Sequence, residues 1–313
     1  MIAMPIFTIP DQLPIKRYRF SFEVTADFML PEYSGSLLRG IFGHALRSLS
    51  CLTKVENCTG CTLTRICPYA EVFETASTGA GLSKAKNPPQ GYIVEPSTQQ
   101  RLYRKGDIFT FSMVLLGRNI ERLPLIAFAW QKALMKDIRG GNATLCDIAV
   151  EIAHDQWDSI FKNKEIIAHD PFLQLPVTYP NQYILRFITP LRLQIDGHLA
   201  QDDELTAYCF LSQLLRRLSW LSERHLGDYM QLHYSELAEE IAVIRDHKML
   251  YWQDWARYST RQKRKMHLGG MLGTWDFNNL SQDLAKLLYL GQWLHAGKNT
   301  TFGLGRYELL QRI

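Results

Sequence analysis

Apolar and polar residues alternate along RYRFSFEVTA, residues 17–26, the pattern of a strand buried on one face. Pro31 and Gly35 end that run. SLLRGIFGHALRSLS follows, with Leu37, Leu38, Ile41, Ala45, Leu46 and Leu49 on one helical stripe and Ser34 or Ser36 placed to cap it. ETASTGAGLSKAKNPPQG reads as a loop, GYIVEP and GDIFTFSMVLLG as two strands, LPLIAFAWQKALMKDIRGG as a helix ending on glycines, and ATLCDIAVEIA as a strand. The order is β, α, β, β, α, β.

The second half repeats it. QYILRFITPLRLQI alternates as a strand, and DDELTAYCFLSQLLRRLSWLSERHLG reads as a long helix capped by its first acid and stopped by Gly227. WQDWARYSTRQKRKMHLGGMLGTWDF holds two strands meeting near a basic run. LSQDLAKLLYLGQWLHAG is a helix, GRYELLQRI a last strand, and YSELAEEIAVIRDH adds a helix. A βαββαβ order run twice predicts an α+β protein of tandem ferredoxin-like (RRM-like) domains. The proline-bearing HDPFLQLPVTYPN sets the expected boundary, giving domains 1–175 and 176–313.

Composition changes this picture little. The 313 residues are 46% apolar and 21% charged, as in a folded globular chain, and no run of 18 apolar residues predicts a membrane span. The first residues lack the pattern of a secretory signal, so the expected compartment is the cytoplasm. Net charge is only +4, but RYSTRQKRKMH concentrates Arg257, Arg261, Lys263, Arg264 and Lys265 without an acid. That run fits either a solvated hairpin or a nucleic-acid patch.

Four of the six cysteines crowd into CLTKVENCTGCTLTRICP. Cys51, Cys58, Cys61 and Cys67 have the spacing C-x6-C-x2-C-x5-C, and the inner pair forms a turn that can aim two thiolates at one ion. A structural Zn²⁺ site in a knuckle at 51–67 is the favoured reading; an iron–sulfur cluster and free thiols are the alternatives. Cys146 and Cys209 lie alone in apolar surroundings and read as core residues.

HAGKNTTFGLGRYELL, near the chain end, fails as a P-loop because Lys298 follows the first glycine and a strand comes next. It fails as a dinucleotide fingerprint because the position three after Gly305 is Glu308. Gly297, five residues, Gly303, one apolar residue and Gly305 resembles instead the glycine-rich loop of the CRISPR repeat-associated RNA-binding (RAMP) superfamily. RFITPLRL, WARYSTRQ, MHLGGMLGTW and WLHAGKNTTFGLGRYE resemble the second domain of its precursor-crRNA-processing endoribonucleases. GSLLRGIFGHALR with the four cysteines resembles a cysteine-bearing branch of the first domain. The first-half counterpart, RGGNATLCDIAVE, lacks the second glycine pair.

This resemblance implies metal-independent cleavage of a repeat stem-loop by 2′-OH attack, leaving a 2′,3′-cyclic phosphate and a 5′-OH. It implies precursor crRNA as partner, with other CRISPR effector subunits as further partners. It also gives a histidine on the first helix the acid–base work, which points to His44. Tyr33 positions the 2′-OH or simply packs; His295, just before the glycine loop, faces bound phosphate or bonds a carbonyl there; His267 is a weaker third. Lys298 and Arg306 flank the loop, whose glycines let backbone N–H groups reach phosphate. Arg39 and Arg47 on the first helix, with Arg257, Arg261, Lys263, Arg264 and Lys265, complete the expected RNA contacts; Trp255 and Tyr258 stack on a base or belong to the core. Two other readings use the same residues. One is a non-cutting crRNA-binding subunit; the other is a metal-dependent hydrolase, which four thiolates disfavour because they leave no open coordination position.

Overall fold

The computed structural model describes residues 5–56, 58–74, 89–98, 101–227, 231–254, 256–259 and 264–310. The chain divides into two units, one of Pro14–Phe172 and one of Leu173–Ile313 joined by Met1–Leu13. The N-terminal stretch goes to the second unit because Phe7–Thr8 pairs with Gln231–Leu232 and Gln12–Leu13 pairs with Leu173–Gln174.

In the first unit β1 (Ile15–Ala26), α1 (Gly35–Ser50), β2 (Tyr92–Pro96), β3 (Ile108–Leu116), α2 (Leu123–Lys136), β4 (Asn142–Ala153) and β5 (Gln156–Ser159) follow in order. The strands form an antiparallel sheet in the order β2-β3-β1-β4-β5. Alternation along β1 sends Tyr18, Phe20, Phe22 and Val24 into one core with Phe42 of α1 and Trp130 of α2. Phe42 stacks on Trp130 at 4.8 Å and Phe111 of β3 meets Trp130 at 4.4 Å. Pro124 sits in the first turn of α2, where its missing N–H costs nothing.

The opposite face of β1 carries a charge. Arg17 is buried, and its guanidinium holds two carboxylates from other strands of the same sheet: Nε lies 2.9 Å from Glu95 of β2, and Nη1 donates to both oxygens of Glu151 of β4 at 3.0 Å. Burial opposes the charge on Arg17, but the two carboxylates outweigh it and raise its pKa.

The second unit runs β6 (Gln182–Leu191), α3 (Ala207–Leu221), α4 (Tyr234–Ala242), β7 (Arg245–Gln253), β8 (Ala256–Ser259), β9 (Arg264–His267), β10 (Gly270–Asn278), α5 (Gln282–Leu294) and β11 (Tyr307–Leu310). Its sheet has the order β7-β10-β6-β11, so each unit places its first strand between its third and its fourth. Phe187, Phe210, Trp275 and Tyr307 fill the core, and the Tyr307 hydroxyl donates to Leu288 of α5 at 2.6 Å.

Four expectations change. The second strand of this unit is β7, which the hydropathy pattern missed because β7 is an edge strand whose residues are mostly exposed on both faces. The basic run forms a separate hairpin, β8–β9, in the connection to β10. Helix α3 starts at Ala207, not at the acids, because the Thr206 side chain accepts from the N–H of Cys209. Cys146 is exposed, its thiol turned to the Ser21 carbonyl at 3.2 Å, and Cys209 is half-buried, so neither is a full core residue. No described helix is long and apolar enough to cross a membrane.

Removing Arg17 leaves two carboxylates buried without a cation. Arg17→Met should therefore lower stability by about 3–5 kcal/mol in urea unfolding at neutral pH, and a loss below about 1 kcal/mol would contradict this account of the sheet.

Candidate functional site

Helix α5 ends at His295, whose φ of 55° turns the chain into the glycine loop. The loop folds back onto the end of β6. Lys298 N–H donates to the Arg192 carbonyl at 2.8 Å, Gly305 N–H to the Pro190 carbonyl at 3.0 Å, and Ala296 N–H to the Gly305 carbonyl at 3.0 Å. Thr189 joins both ends: its hydroxyl donates to Gly303 at 2.7 Å and accepts from Arg306 N–H at 2.9 Å. Gly297 and Gly305 have φ of 81° and 69°, and a Cβ on either would run into a carbonyl oxygen, Arg192's or Ala296's. Only glycine allows backbone to lie on backbone this way.

Gly303 and Gly305 are buried, and their N–H groups go to Thr300 and Pro190. Their part is close packing. The loop turns Lys298 outward, with Gly297 and Arg306 half-exposed beside it. The Arg306 guanidinium lies 3.6 Å from Glu308.

Of the two uses open to His295, the structure takes the internal one. The side chain is fully buried, and Nδ1 lies 3.2 Å from the Leu304 carbonyl. An imidazole enclosed in this way pins the loop and does not face a phosphate. His44 lies open to solvent on α1, between buried Gly43 and Ala45. Gly43 does not clear a path for a ligand, because the Phe73 ring occupies the space a Cβ would need. Gly40 has nothing near that position and leaves α1 open one turn before His44. Tyr33 is buried.

The α1 arginines are engaged locally. The Arg39 guanidinium sits 4.3 Å from the centre of the Phe73 ring. Arg47 donates to the carbonyls of Val55 and Glu56, the latter at 2.8 Å, and so anchors the cysteine segment to the helix.

That segment begins where α1 ends, with Cys51 N–H donating to the Arg47 carbonyl. Cys61 N–H returns to the Cys58 carbonyl at 3.2 Å, closing the turn at Gly60 (φ 77°). All four thiols line one pocket, with the Thr53 hydroxyl 3.9 Å from Cys51 and 3.6 Å from Cys61. Burial works against the Cys51 thiolate, but hydrogen bonds from Thr53, Lys54 and Arg47 outweigh it and lower the pKa. Hydrogen bonds led by that of Thr53 lower Cys61 as well, whereas burial raises Cys58. Among the described residues, no three His, Cys, Asp or Glu side chains converge closely enough to hold a metal as they lie.

In the basic hairpin, β8 pairs with β9 in a register opposing Arg257 to Met266, Tyr258 to Lys265 and Ser259 to Arg264. Trp255, Arg261 and Lys263 lie outside the described residues, as do the side chains of Arg257, Tyr258, Arg264, Lys265 and His267.

Two arginines absent from the sequence reading stand beside the loop. Arg192, at the end of β6, donates from Nη1 to the Gly269 carbonyl. Arg217, among the leucines of α3, donates from Nε to the Leu294 carbonyl at 2.8 Å. Arg217 faces the buried side of α3, between Leu214, Leu215 and Leu218. A cation inside an apolar stripe was the available signal.

Residues 13–172, just over half of the chain, match the AF_1859_N family, described as an N-terminal domain. Residues 185–307 match the family described as CRISPR-associated endoribonuclease Cas6. No curated protein matches. Among solved structures, a Cas6 product complex aligns over 95% of this chain and 100% of its own, with 12% identity and a TM-score of 0.55. Thermus thermophilus Cas6 aligns over 96% and 99%, with 11% identity and a TM-score of 0.53. A partial Cas6-RT-Cas1–Cas2 complex covers all of this chain at 13% identity and a TM-score of 0.54, and the chain spans 48% of that protein's length. At such identities these structures share the fold.

Seating of the loop on β6 gives a steric test. Gly305→Ala puts a methyl group against backbone at positive φ, so it should lower the thermal midpoint by several degrees, whereas Gly40→Ala should leave it unchanged or raise it slightly. Equal midpoints for Gly305→Ala and the parent would rule out this packing.

Proposed function

The chain belongs to the AF_1859_N family through residues 13–172 and to the CRISPR-associated endoribonuclease Cas6 family through residues 185–307, and from that membership we propose that it processes precursor crRNA. It binds the repeat stem-loop and cleaves it without a catalytic metal. The 2′-oxygen attacks the adjacent phosphorus, the P–O5′ bond breaks, and the products carry a 2′,3′-cyclic phosphate and a 5′-OH.

The reaction needs a base to take the 2′-OH proton, an acid to protonate the leaving 5′-oxygen, and cations beside the phosphorane. The single observation that carries the residue assignment is the contrast between two imidazoles. His295 is sealed under the loop, while His44 is exposed on the helix where the resemblance puts the acid–base group. His44 is therefore assigned the proton transfer. Lys298 and Arg306 supply positive charge at the loop, and the β8–β9 hairpin carries cations for the stem. The partners are precursor crRNA and, by analogy with the Cas6-RT-Cas1–Cas2 complex, other CRISPR proteins.

For Cys51, Cys58, Cys61 and Cys67 the proposal is a structural Zn²⁺ site. The donor set suits it: four thiols line one pocket directly after α1, and hydrogen bonds favour the thiolate at Cys51 and Cys61. A bound ion would tie the segment to α1 and leave no position for substrate. Purified protein should contain one equivalent of zinc, which Cys58→Ser should lose together with part of its thermal stability. A protein that purifies with iron and sulfide instead overturns the zinc assignment.

Cleavage is tested with repeat RNA in EDTA. Site-specific products should form, a 2′-deoxy substitution at the scissile nucleotide should abolish them, and His44→Ala should slow the reaction about 10²–10⁴-fold while leaving binding within a few-fold. Tight binding of repeat RNA without products would favour a crRNA-holding subunit. Cleavage that survives His44→Ala removes that residue from the mechanism.

A further inference from the structure

The outer strands of the two main sheets are not alike. β2 is buried along its whole length and ends on Pro96, which cannot donate to a ladder. β5 and β11 have four residues each, and the pairing of β5 with β4 is interrupted by a register shift. Edges that are short, covered, bulged or proline-bearing resist further pairing. β7 has none of these features. It runs nine residues, Arg245–Gln253, without proline and in unbroken register with β10, and among the described residues it pairs with no other strand. Its far side therefore presents backbone N–H and C=O groups to solvent.

A lysine standing out from an edge keeps other strands away. Lys248 does not stand out. Its ammonium turns back to the segment before α3, donating to the carbonyls of Asp202 and Leu205, the latter at 2.7 Å, and lies 3.4 Å from the Asp202 carboxylate. The side chains that do reach solvent include large apolar ones: Met249 is 65% exposed, Tyr251 57% and Trp252 37%. Met249 and Tyr251 alternate with Asp246 and Lys248, which meet the core through Trp275: Asp246 accepts from its Nε1 at 2.8 Å, and Lys248 Nζ lies 5.8 Å from its ring centre. Met249 and Tyr251 thus belong to the face turned away from that core.

The order of residues decides what fits this edge. RDHKMLYWQ carries Arg245, Asp246, His247 and Lys248 first and five uncharged residues after them. Laid antiparallel on a second copy over its full length, the strand centres on Met249. Arg245 then faces Gln253, Asp246 faces Trp252, His247 faces Tyr251, Lys248 faces Leu250, and Met249 faces itself. Every ionisable residue of the first half meets an uncharged partner. Parallel in-register pairing would instead set each charge against its own copy, which is unfavourable. The antiparallel arrangement has a two-fold axis at Met249 and closes on itself, as a contact between identical surfaces must.

We propose that β7 is a homodimerisation edge, along which two copies of the chain pair antiparallel about Met249 and join their four-stranded sheets into one. This pairing is independent of the RNA reading above. A contact confined to one strand and the side chains beside it is small, so the dimer forms reversibly, with a dissociation constant on the order of micromolar.

The test is sedimentation equilibrium of the full chain over a concentration series spanning the micromolar range. The parent should pass from monomer to dimer. Met249→Lys sets two ammonium groups opposite each other, so it should stay monomeric throughout while keeping the thermal midpoint of the dilute parent, because the position is exposed. Opposed residues of an antiparallel ladder have Cα atoms about 4.5–5.5 Å apart, within the span of a disulfide. Mild oxidation of Met249→Cys should therefore give a covalent dimer, and Arg245→Cys, at the strand end, should give no more than the parent does. A parent that is monomeric at every concentration overturns the pairing, as does a dimer unaffected by Met249→Lys. A dimer that Met249→Cys does not trap, or that Arg245→Cys traps equally well, overturns the register. A monomeric parent whose affinity for repeat RNA falls with Met249→Lys assigns the edge to RNA and overturns the dimer.

Discussion

The second unit is organised by backbone laid directly on backbone. Pro190 and Arg192, at the end of β6, offer carbonyls that Gly305 and Lys298 take up, and no side chain fits between them. Because β6 is a central strand, bonded to both β10 and β11, the loop inherits the rigidity of the sheet. His295, Thr189 and the Arg192 backbone are all tied to the loop seated there. Sites mounted on such elements hold their geometry better than sites on free loops.

The first unit uses the same strand order for a different end. Its counterpart connection has only the first glycine pair, and α1 carries exposed His44 on one side and leads directly into the cysteine segment. Arg47 couples the two by gripping the carbonyls of Val55 and Glu56. Holding α1 in place are the aromatic core beneath it and the Phe73 ring seated on Gly43, while the Arg17 ion triad ties the far face of the sheet. One architecture thus seats a glycine loop on its sheet in one unit and leaves His44 exposed on a helix in the other.

Electrostatics follows the same division. Where acids and bases meet in buried positions, as in Arg17 with Glu95 and Glu151, the charges close on each other and serve the fold. Beside the glycine loop, by contrast, Arg192 and Arg217 each hold one donor nitrogen enclosed without a hydrogen-bond partner among the described residues.

Much of this was legible in the sequence. Period-two alternation found β1 and β6, the amphipathic stripe found α1, and the repeated order of elements found both units, because each signal is local and each element buries one face. The glycine spacing marked the loop and the cysteine spacing marked one pocket, since turns constrain nearby residues directly. Tertiary structure alone decided the rest. β7 is exposed on both faces and leaves no periodic trace; His44 and His295 look alike in sequence, yet one is open and the other sealed by Leu304. Arg192 and Arg217 read as ordinary cations until the fold encloses one donor nitrogen of each without a hydrogen-bond partner among the described residues. Whether a group is buried, and what it pairs with, depends on residues far away along the chain, and no local pattern can encode that.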